Sequence, residues 1–130
     1  MEATTEITHQ VVVFDAADLN SESRFWAGVL GGTVDYEDDW HTVLVDGSAK
    51  VAVQLAPEHV PPQWPDGNPQ QIHLDLWVAD IEEAHEEVLA LGAVLLKAVD
   101  DEAPGEGFRV YADPAGHPFC LCWVKRSEAA

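Results

Sequence analysis

Positive charge is scarce in this chain. Its 130 residues carry 6 Lys plus Arg against 24 Asp plus Glu, a formal net charge of −18. Nucleic acids and anionic membrane surfaces are bound through concentrated Lys and Arg, so neither partner is expected. Two of the cations, Lys125 and Arg126, stand at the tail, and among the other four Arg109 is the main interior candidate for a local positive site. Cysteine is nearly absent too, with only Cys120 and Cys122. Two residues apart on a strand, they share a face, which suits a mutual disulfide poorly. A second cysteine pair for a structural zinc site is missing. No run of about 18 apolar residues exists to span a membrane. The start, "MEATTEITHQ", has neither a basic segment nor an apolar core of the secretory kind. A reduced, cytoplasmic protein is the expectation.

Apolar residues are plentiful. They make up 47% of the chain, with five Trp and four Phe, enough for a packed core rather than a disordered chain. "ITHQVVVFD", residues 7–15, reads as a strand. In "ADLNSESRFWAGVLGG" a cap at Asp18 or Asn20 opens a helix with Phe25, Trp26, Val29 and Leu30 on its apolar side, closed by Gly31 and Gly32. Strand candidates follow at 33–38, 41–45 and 50–55. Residues 56–70, "APEHVPPQWPDGNPQ", are too rich in proline for a helix or an inner strand. They read as a connector, or as a lid carrying Trp64.

The pattern then recurs. Residues 71–79 form a strand, and Asp80 caps a helix with Ile81, Ala84, Val88 and Leu91 at helical spacing before Gly92. Strands follow at 93–98, 108–112 and 118–124, with turns at 101–107 and 113–116. Asp18 precedes Leu30-Gly31 as Asp80 precedes Leu91-Gly92. The chain therefore reads as one α+β domain over 1–130. It holds a βαβββ module at 7–56, a connector at 57–70 and a second module at 71–125. Paired modules predict a curved mixed sheet with helices outside and a concave inner pocket.

Alternation decides what faces that pocket. In "QIHLDLWVAD", Leu74, Leu76 and Val78 supply the apolar row for a helix, leaving His73, Asp75 and Trp77 inward. His73 is read three ways: a metal ligand, a contact to an organic ligand, or a structural histidine. With Asp75 it also forms an acid/base pair, the candidate catalytic groups. Candidate ligand-binding residues are Trp40, Gln54, Trp64, Trp77, Arg109, Tyr111 and Cys120. Aromatic rings suit a flat ligand, and the acidic balance suits a neutral or cationic one. His41, His59, His85 and His117 lie outside any constellation and read as surface or turn histidines.

"HLDLWVADIEEAHEEVLALGA" (73–93), "FRVYADPAGHPFCLCW" (108–123) and "ADLNSESRFWAGVLGG" (17–32) resemble the glyoxalase-like domains of the vicinal oxygen chelate superfamily, which includes glyoxalases, bleomycin resistance proteins and dioxygenases. The resemblance implies paired βαβββ modules and, in the enzymes, one divalent ion that binds vicinal oxygens. It places His73, seven residues before Asp80, at a ligand position. Val11 and Cys120 stand where the metal enzymes carry ligands, Cys120 in place of a glutamate. Candidate partners of His73 for a metal are His9, Gln54, Asp75, His117 and Cys120, and of these Gln54 and Cys120 lie at or near positions where the resemblance implies ligands. With the usual set broken, the expectation is a small-molecule-binding protein without an intact metal triad and without a bound metal. The alternatives are a divalent-metal-dependent lyase, isomerase or dioxygenase acting on a small oxygenated substrate, and a non-catalytic structural module. The resemblance also implies a homodimer.

Overall fold

In the computed structural model, residues 9–67, 72–103 and 105–124 are described, side chains at 101–103 excepted. The chain divides into two compact units, Met1–Pro57 and Glu58–Ala130. The first unit runs β1 (Val12–Ala16), α1 (Leu19–Leu30), β2 (Thr33–Tyr36), β3 (Trp40–Val45) and β4 (Ser48–Leu55). The second repeats that order as β5 (Leu74–Trp77), α2 (Ile81–Leu91), β6 (Val94–Ala103), β7 (Glu106–Ala112) and β8 (Pro118–Val124). Both helices begin and end as the sequence predicts. The Asp18 carboxylate accepts from Ser21 N–H and that of Asp80 from Glu83 N–H, each at 3.1 Å. Gly31 and Gly92 close the helices with φ of 71° and 116°, a region where a side chain is strained.

In each unit the first strand runs parallel to the last, and the remaining pairs are antiparallel. The orders are β1-β4-β3-β2 and β5-β8-β7-β6. This overturns the expectation of one curved mixed sheet around a concave inner pocket. Each module satisfies its backbone ladder internally, by pairing its own first and last strands, so hydrogen bonding yields two open four-stranded sheets. The cavity described below lies on the second sheet.

The first unit buries α1 against β3 and β4. Phe14 stacks on Trp26 with ring centroids 5.1 Å apart, and Val43, Val51 and Val53 fill the sheet face beneath. Polar groups enter this core in partnership. Trp26 Nε1 donates to Glu22 Oε2 at 3.3 Å, and Ser23 Oγ and His41 Nδ1 are hydrogen-bonded at 2.9 Å. His41 is thus buried against Ser23 and the Tyr36 ring, not the surface residue its isolation in the sequence suggested. In the second unit Tyr111, Phe119 and Leu121 are fully buried, with Tyr111 stacked on Phe119.

Two boundaries differ from the sequence reading. β6 extends to Ala103, so the turn predicted over 101–107 shrinks to the step between Ala103 and its partner Glu106, with Gly105 at φ 78°. Irregularities between Leu95 and Lys97 and between Val99 and Ala103 let the longer β6 keep its pairing with β7. β5 is only four residues long, and His73 stands immediately before it.

Candidate metal centre

The register of the second sheet builds the site. β5 and β8 are parallel, with Asp75 opposite Cys120 and Trp77 opposite Cys122. Residues opposite one another share a face, so the Asp75 and Trp77 row of β5 continues into the cysteine row of β8. His73 extends that row by one further two-residue step. On the other side of β8, Val110 faces Cys120 and Phe108 faces Cys122. This face opens into a cavity of about 360 Å³ lined by His73, Asp75, Trp77, Phe108, Cys120 and Cys122 among others.

At one end, His73, Asp75 and Cys120 bring one ligand atom each to within 4.8 Å of the others. His73 Nε2 lies 3.1 Å from Asp75 Oδ1, with both side chains about half exposed. Cys120 is buried. Burial, first, and then the Asp75 carboxylate push its thiol up to about 12; Cys122 adds a smaller effect, as does the thiol's own hydrogen bond to Asp75. Burial and Asp75 raise Cys122 as well. Both cysteines are free thiols.

The donor set fits a divalent ion. Imidazole nitrogen, carboxylate oxygen and cysteine sulfur are all established ligands, and three protein ligands with an open position are the usual pattern of a catalytic site. Ligands held tetrahedrally at about 2.0–2.3 Å from a shared ion stand about 3.3–3.8 Å apart. The present spacing therefore asks for side-chain adjustment rather than backbone movement. A potential metal-binding triad exists, which corrects the expectation of a broken one. That expectation paired His73 with Gln54 and Cys120. Asp75 is also among the candidate partners in the sequence, but its adjacency to Cys120 is set by a strand pairing more than forty residues apart and is not legible there.

The remaining predicted site residues fall in several places. Trp77 is 68% exposed and forms a wall of the cavity. Trp64, from the proline-rich connector, packs on the cluster of Val110, Cys120 and Cys122. Arg109 and Tyr111 share a face, as alternation predicts, but it is the face under α2. Arg109 pairs with Leu121 across the strands, and its guanidinium donates to Asp100 at 2.8 Å and Glu82 at 2.7 Å. Burial alone would lower the pKa of Arg109, but those two hydrogen bonds outweigh it and hold it above its ordinary value. The Tyr111 hydroxyl is 2.8 Å from His85 Nδ1, and burial raises its pKa. Trp40 and Gln54 lie opposite one another on β3 and β4 of the first unit, where Trp40 Nε1 donates to Thr42 Oγ1 at 3.1 Å. Glu106 lines the cavity and was not anticipated. Its signal in the sequence was faint, since it sits in what read as a turn.

Two βαβββ modules of this topology, with polar ligands on an open sheet face, define a glyoxalase-like protein. The model of the glyoxalase-like domain family matches residues 11–122, and the chain belongs to that family. No curated protein matches the chain. Among solved structures, the chain is similar to the fosfomycin resistance protein FosX from Mesorhizobium loti. The TM-score is 0.65 at 18% identity, over 95% of this chain and 97% of that one. The genomically encoded fosfomycin resistance protein FosX from Listeria monocytogenes gives 0.68 at 14% identity, over 93% and 96%. A glyoxalase-related enzyme from Fulvimarina pelagi gives 0.64 at 20% identity, over 90% and 88%. At these identities the likeness is one of fold.

Proposed function

We propose that the protein is a divalent-metal-dependent enzyme acting on a small oxygenated substrate, of the lyase, isomerase or dioxygenase kind. The observation that carries this reading is the trio His73, Asp75 and Cys120 at the mouth of the cavity. It replaces the metal-free binding protein that the sequence alone favoured. When bound, the ion supplies Lewis-acid stabilisation of negative charge developing on substrate oxygens. The chain's own residues do the rest. His73 and Asp75, half exposed, leave an open side through which substrate reaches the ion. Trp77 and Phe108 offer flat apolar surfaces to orient it. Trp64 packs on the cysteine cluster and covers part of it with apolar surface.

The described lining carries the carboxylates of Asp75 and Glu106 and no Lys or Arg. That balance supports a neutral or cationic substrate over a polyanion. The free thiols suit a reducing, cytoplasmic setting. Exposed Val94, Leu95 and Leu96 on the edge strand β6 support a homodimer, which light scattering would measure as twice the chain mass. The functional test is calorimetric titration with acetohydroxamate, a small molecule with two adjacent oxygens. The expected result is binding to zinc-loaded protein, lost in the metal-free form and in His73→Ala. Equal binding to loaded and metal-free protein would contradict the proposal.

A further inference from the structure

We infer that the site selects a thiophilic or borderline ion, zinc or cadmium, over manganese or magnesium. This rests on the metal reading above and deepens it by naming the class of ion. The reason is the third ligand. Sulfur favours softer ions, whereas magnesium and manganese favour oxygen donors. Magnesium also keeps several waters in a near-octahedral shell. Cys120 is poorly suited to such a shell. It is buried, and Val110, Trp64 and Phe108 pack beside it, so the side chains next to the sulfur are apolar and add no oxygen ligand. The half-exposed His73 and Asp75 complete a mixed nitrogen, oxygen and sulfur set of the kind zinc accepts in four-coordination.

The parallel register fixes Cys120, not Cys122, as the ligand. Cys120 is the residue opposite Asp75. Cys122 lies one two-residue step further on, about 6.6 Å along the strand, and is opposite Trp77. Binding is a simple exchange. The Cys120 S–H bond breaks, its proton leaves to buffer, and a sulfur–metal bond forms with no change of oxidation state.

The test is titration of metal-free full-length protein with Cd²⁺, Zn²⁺, Mn²⁺ and Mg²⁺ separately. Absorbance reads the ultraviolet thiolate-to-cadmium charge-transfer band, and calorimetry reads affinity. The expected result is a cadmium band that saturates at a single equivalent, persists in Cys122→Ser and is lost in Cys120→Ser. Zinc should bind at least about tenfold tighter than manganese, and Cys120→Asp should narrow that gap. Manganese binding as tight as zinc, or a cadmium band that survives Cys120→Ser, overturns the ion class while leaving the metal reading intact. No binding of any ion overturns both.

Discussion

Without a metal, Cys120 should be an unusually inert thiol, and the reason can be titrated. Its pKa is pushed from 9.0 to about 12. At pH 8 about one molecule in 10,000 would carry the thiolate, against about one in ten for an unperturbed thiol, so alkylation should be slower by about a thousandfold. Restricted access would also slow alkylation, but it would not change the shape of the pH profile. The assay is therefore the rate of iodoacetamide labelling of Cys120, followed by peptide mass spectrometry on chelator-treated protein between about pH 7 and pH 10.5. The rate should rise close to tenfold per pH unit with no plateau.

Asp75→Asn removes the second cause of the shift and leaves burial, the first. Asp75 is about half exposed, so the whole curve should move down by about one pH unit, the low end for a neighbouring charge. A wild-type plateau near pH 9, or an Asp75→Asn profile that superimposes on the wild type, would show that burial and Asp75 do not hold the thiol proton. The sign for stability follows. The folded protein holds the thiol proton more tightly than the unfolded chain. The Cys120 contribution is therefore intact below about pH 9 and is lost as the pH climbs toward 12.

Three further outcomes are expected. Arg109→Ala strips the ion pairs to Asp100 and Glu82 from a side chain only 10% exposed. It should cost about 2 kcal/mol in urea unfolding while leaving zinc affinity within about twofold, since the guanidinium faces α2 and not the cavity. Gly107→Ala would drive a Cβ against the Val99 carbonyl oxygen and to 2.7 Å from Trp123 Cζ2, which should destabilise by about 1–3 kcal/mol; a neutral result would contradict the packing. Asp80→Ala removes the cap on Glu83 N–H and should lower stability by about 1 kcal/mol in the same assay.

The element order was readable because helix and strand periods, caps and glycine stops are local signals. Both caps and both left-handed glycines stand where the spacing put them. The sheet arrangement was less readable. Which strands pair is a nonlocal matter, and the paired modules suggested one curved sheet where there are two. The same gap explains the site. Alternation brought out His73, Asp75 and Trp77 as a row, and Cys120 and Cys122 as another. It could not show that Asp75 stands opposite Cys120. Arg109 and Tyr111 show what register adds. If Cys120 faces the cavity, its antiparallel partner Val110 must do so too, and Arg109 must turn to the helix side with Leu121. His41 is the other instructive residue: its partner Ser23 lies on α1, eighteen residues away, with no motif to link them.

His73, Asp75 and Cys120 are proposed to hold one divalent ion. The direct measurement is metal content by plasma mass spectrometry, on untagged protein purified without chelator, for wild type and His73→Ala side by side. Close to one equivalent of a divalent transition metal is expected in the wild type and near zero in the variant. Equal metal content in the two proteins, or none in the wild type even after incubation with zinc and desalting, would contradict it.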